Sequence, residues 1–273
     1  MFRTERPGTT AASALGMLEL VFHAAVRNIR KGHGNALLGL VLNILQSVLL
    51  IAVFWVITLI FGGRGNGIRG DQILYVMSGV FMFMTHSKTI GAVSGAEGPT
   101  SAMMKHGPMN TVIAIAAAAL STLYIQVLSL TVVLYIYHAV FTPITIHQPV
   151  AAMGMVLLSW ASGLGIGMIF LAARPWAPEF IKLLTSIYMR ANMIASGKML
   201  VANTTPNHIL QWFDWNPLFH TIDQGRGFIF LNYNPHNSSL SYPIYVTFVC
   251  IVIGLMGEFY TRKHMSASWG ARS

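Results

Sequence analysis

Residues 36 to 61 read ALLGLVLNILQSVLLIAVFWVITLIF, and no side chain in this run is charged. A helix needs about 20 mostly apolar residues to cross the hydrocarbon core of a bilayer. The chain contains six such apolar runs: 36–61, 72–87, 109–141, 150–173, 180–202 and 243–259. The fifth run is interrupted by Lys182, Arg190 and Lys198. We therefore predict an all-α membrane protein with six transmembrane helices.

The composition supports the same class. Hydrophobic residues make up 54% of the chain and charged residues only 9%, whereas soluble domains contain about 25% charged residues. The formal net charge of +9 could indicate a nucleic-acid-binding protein, but the positions of the basic residues argue against it. With a cytoplasmic N-terminus, twelve fall on the cytoplasmic side and four on the outer side; the twelve are Arg3, Arg6, Arg27, Arg30, Lys31, Lys88, Lys105, Arg174, Lys182, Arg262, Lys263 and Arg272, and the four are Arg64, Arg69, Lys198 and Arg226.

This asymmetry is the positive-inside pattern of membrane proteins. It predicts that both termini are cytoplasmic, and it favours contact with anionic lipids over contact with nucleic acid. The single cysteine, Cys250, lies in the last apolar run and is expected to be an ordinary buried side chain. The first apolar run is expected to act as an uncleaved signal anchor.

The chain divides into three predicted parts. Residues 1–35 form a cytoplasmic N-terminus with an amphipathic helix, whose apolar face carries Leu15, Leu18, Phe22, Val26 and Ile29 and whose basic end fits the headgroup plane of the membrane. Residues 36–261 form the six-span domain, and residues 262–273 form a cytoplasmic tail. Within the domain, residues 88–108 are predicted to be a cytoplasmic loop that docks on a partner.

The segment Asp214 to Arg226, DWNPLFHTIDQGR, cannot continue an ordinary membrane helix. Pro217 lacks a backbone donor and moves Asn216 out of the helical region. The surrounding stretch 203–242 is too long for a plain turn, and its apolar pieces are too short to cross a bilayer. We predict a pair of short re-entrant helices on the outer face, broken at Asn216 and Pro217. A surface turn is the alternative.

Charged residues inside the fifth run need separate explanations. Arg190 lies eleven residues into the run, and a charge at the centre of a membrane helix costs about 2.5–3.5 kcal/mol on insertion scales. Arg190 is therefore predicted to face a wet cavity or a partner acid. Lys182 and Lys198 lie nearer the ends and are predicted to snorkel to the interface.

No catalytic or metal-binding pattern is evident. The histidines lack the spacing of metal ligands, and Walker motifs for nucleotide binding do not occur. Asp214, His220 and Asp223 could be combined into a hydrolytic site, but no nucleophile accompanies them. We predict that the chain is not an enzyme and binds no cofactor of its own.

Three stretches carry a resemblance to a known family: RNIRKGHGNALLGLVLNILQ at 27–46, SKTIGAV at 87–93, and SGKMLVANTTP with WFDWNPLFHTIDQGR at 196–206 and 212–226. In this order they resemble the permease subunits of ABC exporters for capsular polysaccharide and O-antigen (lipopolysaccharide). The resemblance extends from about Val21 to Lys263 and implies a homodimer of six-span permeases in the bacterial inner membrane. It also implies two cytosolic ATPase subunits that bind ATP and Mg²⁺, and further export components in the periplasm or outer membrane.

The resemblance also implies roles for particular residues. The coupling residues that contact the ATPase subunits are expected to be Glu97, Lys105, Arg27, Arg30 and Lys31. The path of the polysaccharide is expected to be lined by Arg190, Trp212, Trp215, Phe219, Phe228 and Tyr233, and the outer gate to comprise Asn216, Pro217 and Arg226. The aromatic residues could instead form an interfacial belt.

Two alternatives to glycan export stay open. A permease of the same architecture could move a lipid, a teichoic acid or a drug. A channel or a membrane-embedded assembly factor without a transport cycle would differ in class.

Overall fold

The computed structural model describes residues 10–31, 36–61, 71–98, 110–198 and 201–264. Within these ranges the fold is all-helical and contains no β-strand. A 3-10 turn, Ala202–Thr204, precedes the two short helices of the 203–242 stretch. The helices are α1 (Thr10–Lys31), α2 (Ala36–Phe61), α3 (Gln72–Ser94), α4 (Thr111–Val140), α5 (Pro149–Ala173), α6 (Pro178–Ala195), α7 (Asn207–Leu210), α8 (Pro217–Ile229) and α9 (Ser241–His264).

Four of the described helices are long and apolar enough to cross a membrane, namely α2 over Leu37–Thr58, α4, α5 and α9. In α2 and α9 only 22% of the most apolar window is buried inside the chain. Such exposed apolar helices need an apolar environment, so the fold is consistent with a membrane protein. The predicted second and fifth spans correspond to α3 and α6, which are not among these four.

Helix α3 is the central helix of the bundle. It is buried on all sides from Leu74 to His86, where it packs against α2, α4, α5 and α8. Met77, Phe81 and Met82 are almost completely buried there. A helix that is apolar all round and surrounded by other helices belongs to the core.

Helices α3 and α5 approach closely because α5 presents glycines at their contact. A Cβ atom added at Gly163 would lie 2.5 Å from the carbonyl oxygen of His86, and one at Gly167 would lie 2.8 Å from Cβ of Val93. No larger side chain fits at these positions without moving α3. Small residues allow the same close packing in membrane helices generally.

Asp71 ties the start of α3 to the end of α4. Its carboxylate accepts hydrogen bonds from the backbone N–H groups of Ile73 and Leu74, which caps α3. It also accepts from the hydroxyls of Tyr137 at 2.5 Å and Thr142 at 2.9 Å. Burial raises the pKa of Asp71, but these hydrogen bonds outweigh burial and hold the pKa below its usual value.

Two boundaries differ from the sequence prediction. Helix α3 continues to Ser94, so residues 88–94 of the predicted cytoplasmic loop are helical, and residues 99–109 lie outside the described part of the chain. Helix α6 ends at Ala195, so Ser196, Gly197 and Lys198 do not continue the predicted fifth span. The apolar run was shorter than the helix in α3 and longer than the helix in α6, because apolar runs do not stop where helices do.

Candidate functional site

The turn after α6 directs the chain back into the bundle. Ser196 is the C-cap of α6, and Gly197 follows with a φ of +62°. This left-handed conformation is unfavourable for residues that carry a Cβ atom. A Cβ added at Gly197 would also lie 2.4 Å from the ring of Phe219. Glycine is therefore required here on two grounds, and it places the next residue inside the protein.

That next residue is Lys198, and its side chain is buried, with 2% of its surface exposed. The ammonium group donates a hydrogen bond to the carbonyl oxygen of Met193 in the last turn of α6. It lies 3.9 Å from the ring centroid of Phe83 and 4.7 Å from that of Phe54, within the range of cation–π attraction. The prediction that Lys198 snorkels to the interface was wrong, because α6 ends three residues earlier and the turn points Lys198 inward.

Asn216 joins the end of α6 to the start of α8. Its Nδ2 donates to Oδ1 of Asn192 at 2.6 Å and to the carbonyl oxygen of Ala195 at 2.8 Å. Its Oδ1 accepts the backbone N–H of Leu218 at 3.0 Å, so Asn216 is the N-cap of α8, with Pro217 in the first turn. One buried amide thus fixes both helix ends.

Arg226 lies near the other end of α8 and is 1% exposed. Its guanidinium carbon is 3.8 Å from the ring centroid of Tyr75 on α3. One of its Nη atoms donates to the carbonyl oxygen of Lys198. The guanidinium fits because α3 has a glycine opposite it: a Cβ at Gly79 would lie 2.7 Å from Nη2 of Arg226.

These contacts define what we call the α6–α8 junction, which comprises Asn192, Lys198, Asn216, Arg226, Tyr75 and Gly79. A second group beside it holds the loop between α8 and α9. The buried carboxylate of Asp223 accepts from the hydroxyl of Tyr233 and from that of Ser238 at 2.6 Å. Burial first, and then the nearby Asp223 carboxylate, raise the pKa of Tyr233, so its hydroxyl stays a hydrogen-bond donor.

Helix α6 itself is mostly exposed on the surface of the chain, and only Thr185 and Asn192 are buried. A row of polar residues at three- and four-residue steps lies along one side of it. We call this row the polar stripe; its members are Glu179, Lys182, Ser186 and Arg190. Beside it lies an exposed apolar stripe formed by Phe180, Leu183, Ile187 and Ile194. Arg190 is exposed and therefore does not project into the core of a single copy.

The predicted path aromatics divide into two groups. Trp212 and Trp215 are exposed, at 75% and 60% of their surface, and the indole N–H of Trp215 donates to the carbonyl oxygen of Trp212. Phe219 and Tyr233 are buried, and Phe228 is partly buried. The buried rings pack the region around α8, so among these five residues only the two tryptophans offer exposed aromatic faces.

Two of the predicted coupling residues come together. Arg27 of α1 and Glu97 after α3 line one cavity of about 350 Å³, together with the N-terminal half of α4. Its remaining lining is mostly small, including Ala24, Ala92 and Ala117. Arg30 lies on a different groove of α1. The side chain of Lys31 and the whole of Lys105 lie outside the described residues.

A hydrolytic role for Asp214 and His220 finds no support in their hydrogen bonds. His220 Nε2 lies 2.7 Å from the carbonyl oxygen of Asp214 and 3.4 Å from its exposed carboxylate Oδ1, and Nδ1 accepts the backbone N–H of Ser239 at 3.1 Å. Both ring nitrogens are therefore engaged by the backbone, which fixes the tautomer. Within the described ranges, no group of three or more His, Cys, Asp or Glu residues could hold a metal ion.

The sequence pointed to Asn216 and Arg226 but missed their partners. Gly79, Tyr75 and Asn192 carry no local signal, because their roles depend on contacts with residues far away in the chain. Gly197 followed by Lys198 was the available signal, since a glycine near the end of an apolar run often ends a helix.

No protein-family model matches the chain, and no curated protein matches it significantly.

Proposed function

We propose that this chain is the transmembrane permease subunit of an ATP-driven exporter that moves a polysaccharide or a lipid-anchored glycan across the bacterial inner membrane. The observation that carries the proposal is the polar stripe of α6, whose three charged members are exposed on a chain with four apolar, membrane-length helices. A carboxylate, an ammonium and a guanidinium in one row cannot face hydrocarbon without a large cost. They need water, a polar cargo or a second copy opposite them.

In the proposed assembly α3 and α6 complete six spans, and two copies form a homodimer. The polar stripes of the two copies face a shared path, and the apolar stripe beside each one packs on the partner or on lipid. Two cations against one acid in the stripe favour an anionic cargo, such as an acidic glycan or a lipid-linked phosphate.

Helices α7 and α8 are proposed to form the re-entrant outer element. The α6–α8 junction holds this element on the end of α6, because Asn216 and Arg226 bind the last residues of α6 and the turn that follows. A change in the position of α6 would therefore be transmitted to α8. The exposed faces of Trp212 and Trp215 suit the flat faces of sugar rings.

The ATPase subunits are proposed to dock at the cavity between α1, α3 and α4. Its small-residue lining leaves room for a side chain of the partner, and its two charged members, Arg27 and Glu97, can orient that partner. ATP and Mg²⁺ would be bound by the ATPase subunits rather than by this chain.

Arg190→Ala tests the path. In a host whose own gene is deleted, we expect this variant to be inserted normally but to restore surface glycan about tenfold less well, since hydrogen bonds to charged groups contribute about 1.5–3 kcal/mol. Arg190→Lys, which keeps the charge, should restore part of the export. Lys263→Ala, at the exposed end of α9, is the matched control and should export normally.

The same deletion host distinguishes glycan export from export of another cargo. If deletion leaves surface glycan unchanged but alters membrane lipid or drug resistance, the cargo is a different one. If Arg190→Ala exports as well as the unchanged protein, the stripe does not line the path and the proposal loses its main support.

Glu97→Lys tests the docking cavity. We expect a reduction of about tenfold or more in the amount of ATPase subunit that co-purifies. The new lysine would share the docking cavity with Arg27, and like charges brought together at an interface cost several kcal/mol. Glu19→Lys is the matched control, since Glu19 is an exposed acid on α1 that does not line the cavity. Equal recovery of the ATPase subunit from both variants, with equal melting temperatures, would place the docking site elsewhere.

A further inference from the structure

The predicted apolar face of α1 is not the face that packs on the bundle. Helix α1 contacts α4 through Ala24, which lies against Ile113 and Ala117. Leu18 and Phe22, which belong to the predicted apolar face, remain 65% and 64% exposed. The helix therefore has two apolar sides, one around Ala24 that packs on α4 and one on which Leu18 and Phe22 remain largely exposed.

The large residues form one wall of a groove. This groove, of about 490 Å³, lies between α1 and α4 and is lined on the α1 side by Leu18, Phe22, Val26 and Ile29. Leu120 and Tyr124 form the α4 side. Its polar members are Arg30, Ser121 and the phenol of Tyr124. An apolar groove that carries a guanidinium and a phenol is complementary to an amphiphile with an anionic headgroup.

The position of α1 in the chain places this groove at a membrane surface. Only four residues separate the end of α1 from the start of α2, whose segment Leu37–Thr58 has the highest hydropathy of the four candidate spans. Arg30 is exposed, as is Tyr124. Tyrosine is enriched at the level of the lipid headgroups, and a guanidinium is well suited to bind phosphate.

We propose that the groove between α1 and α4 binds an anionic phospholipid of the membrane in which the chain resides. The acyl chain lies along Leu18, Phe22 and Ile29, and the phosphate accepts hydrogen bonds from Arg30 and Tyr124. This groove adjoins the cavity between Arg27 and Glu97 at Ser121. The cavity lies on another side of α1 and has a small-residue lining. The lipid would fix the angle of α1 against α4, a role independent of the cargo.

The test uses the full chain, purified in detergent and returned to bilayer discs of defined composition. Discs of phosphatidylglycerol are compared with discs of phosphatidylcholine, and the lipid retained by the protein is counted by native mass spectrometry. We expect preferential retention of phosphatidylglycerol, and a loss of about fivefold in that preference for Arg30→Gln, since one basic side chain at an anionic surface contributes about 1 kcal/mol. Tyr124→Phe should reduce the preference less.

Arg262→Gln is the matched control, because Arg262 is an exposed arginine near the end of a different helix, α9. It should leave the preference unchanged. Equal retention of the two lipids, or an equal effect of the Arg30 and Arg262 changes, would overturn the proposal. If Arg30→Gln changes the oligomeric state but not lipid retention, a second copy rather than a lipid occupies the groove. Because no cargo or ATPase is present, the outcome does not depend on the proposed function.

Discussion

Replacing Arg226 with leucine is expected to lower the free energy of unfolding by about 3–5 kcal/mol, the usual effect of breaking a buried charged contact. The guanidinium lies against Tyr75 and donates to the carbonyl oxygen of Lys198. Its removal leaves that carbonyl without this donor. It also removes a cation about one turn away on α8 from the buried carboxylate of Asp223. The α6–α8 junction would lose the contact that Arg226 makes with α3, and only its contacts through Lys198 would hold it there.

The measurement is the melting temperature of the detergent-purified protein, followed by size-exclusion chromatography after heating. Lys263→Leu removes an exposed basic side chain on α9 and should shift the melting temperature little. The melting temperature of Arg226→Lys should lie between those of the two leucine variants, since lysine keeps a cation but cannot make the planar contacts of a guanidinium. Similar melting temperatures for Arg226→Leu and Lys263→Leu would contradict the description of the junction.

Two glycines of α3 are expected to respond oppositely to the same substitution. At Gly79 a Cβ would lie 2.7 Å from Nη2 of Arg226 and 2.9 Å from the carbonyl oxygen of Lys198. Gly79→Ala should therefore destabilise the protein by about 1–3 kcal/mol, as overpacking does in well-packed cores. At Gly91 no atom lies within 4 Å of an added Cβ, and alanine favours a helix by up to about 1 kcal/mol over glycine.

Gly91→Ala is thus an internal control, because it is expected to raise the melting temperature where Gly79→Ala lowers it. Both variants are compared with the unchanged protein by the same melting measurement. A stable Gly79→Ala variant would mean that Arg226 does not lie against α3 at this point. A Gly91→Ala variant as unstable as Gly79→Ala would mean that α3 tolerates no side chain on either face, and the junction would then not explain the effect.

The membrane-length helices follow from the sequence because hydropathy and length determine them directly. The apolar run 36–61 coincides with α2, and the runs 109–141 and 150–173 agree with α4 and α5 within two residues. Ends that depend on tertiary contacts were predicted less well. Helix α6 stops at Ala195 because Gly197 turns the chain towards Phe219, although the run stays apolar to residue 202.

The candidate site was recognised only in part for the same physical reason. A proline after Asn216 indicates a break wherever it occurs, so the start of α8 was evident. The burial of Lys198 was not, because a lysine near the end of an apolar run usually reaches the interface. The contact between Gly79 and Arg226 joins residues far apart in sequence, and nothing local to either residue indicates it.

The exposure of the polar stripe is central to the proposed transport role, and thiol accessibility tests it most directly. In a Cys250→Ala background, Ser186→Cys and Arg190→Cys place thiols on the polar stripe, whereas Leu183→Cys and Ile187→Cys place them on the apolar stripe of the same helix. A charged thiol reagent that does not cross membranes is added to vesicles, from each side in turn. We expect the first two thiols to react at least about tenfold faster than the second two, because the charged reagent does not enter hydrocarbon. Equal rates at all four positions, or reaction on the apolar stripe alone, would contradict a water-filled path along α6.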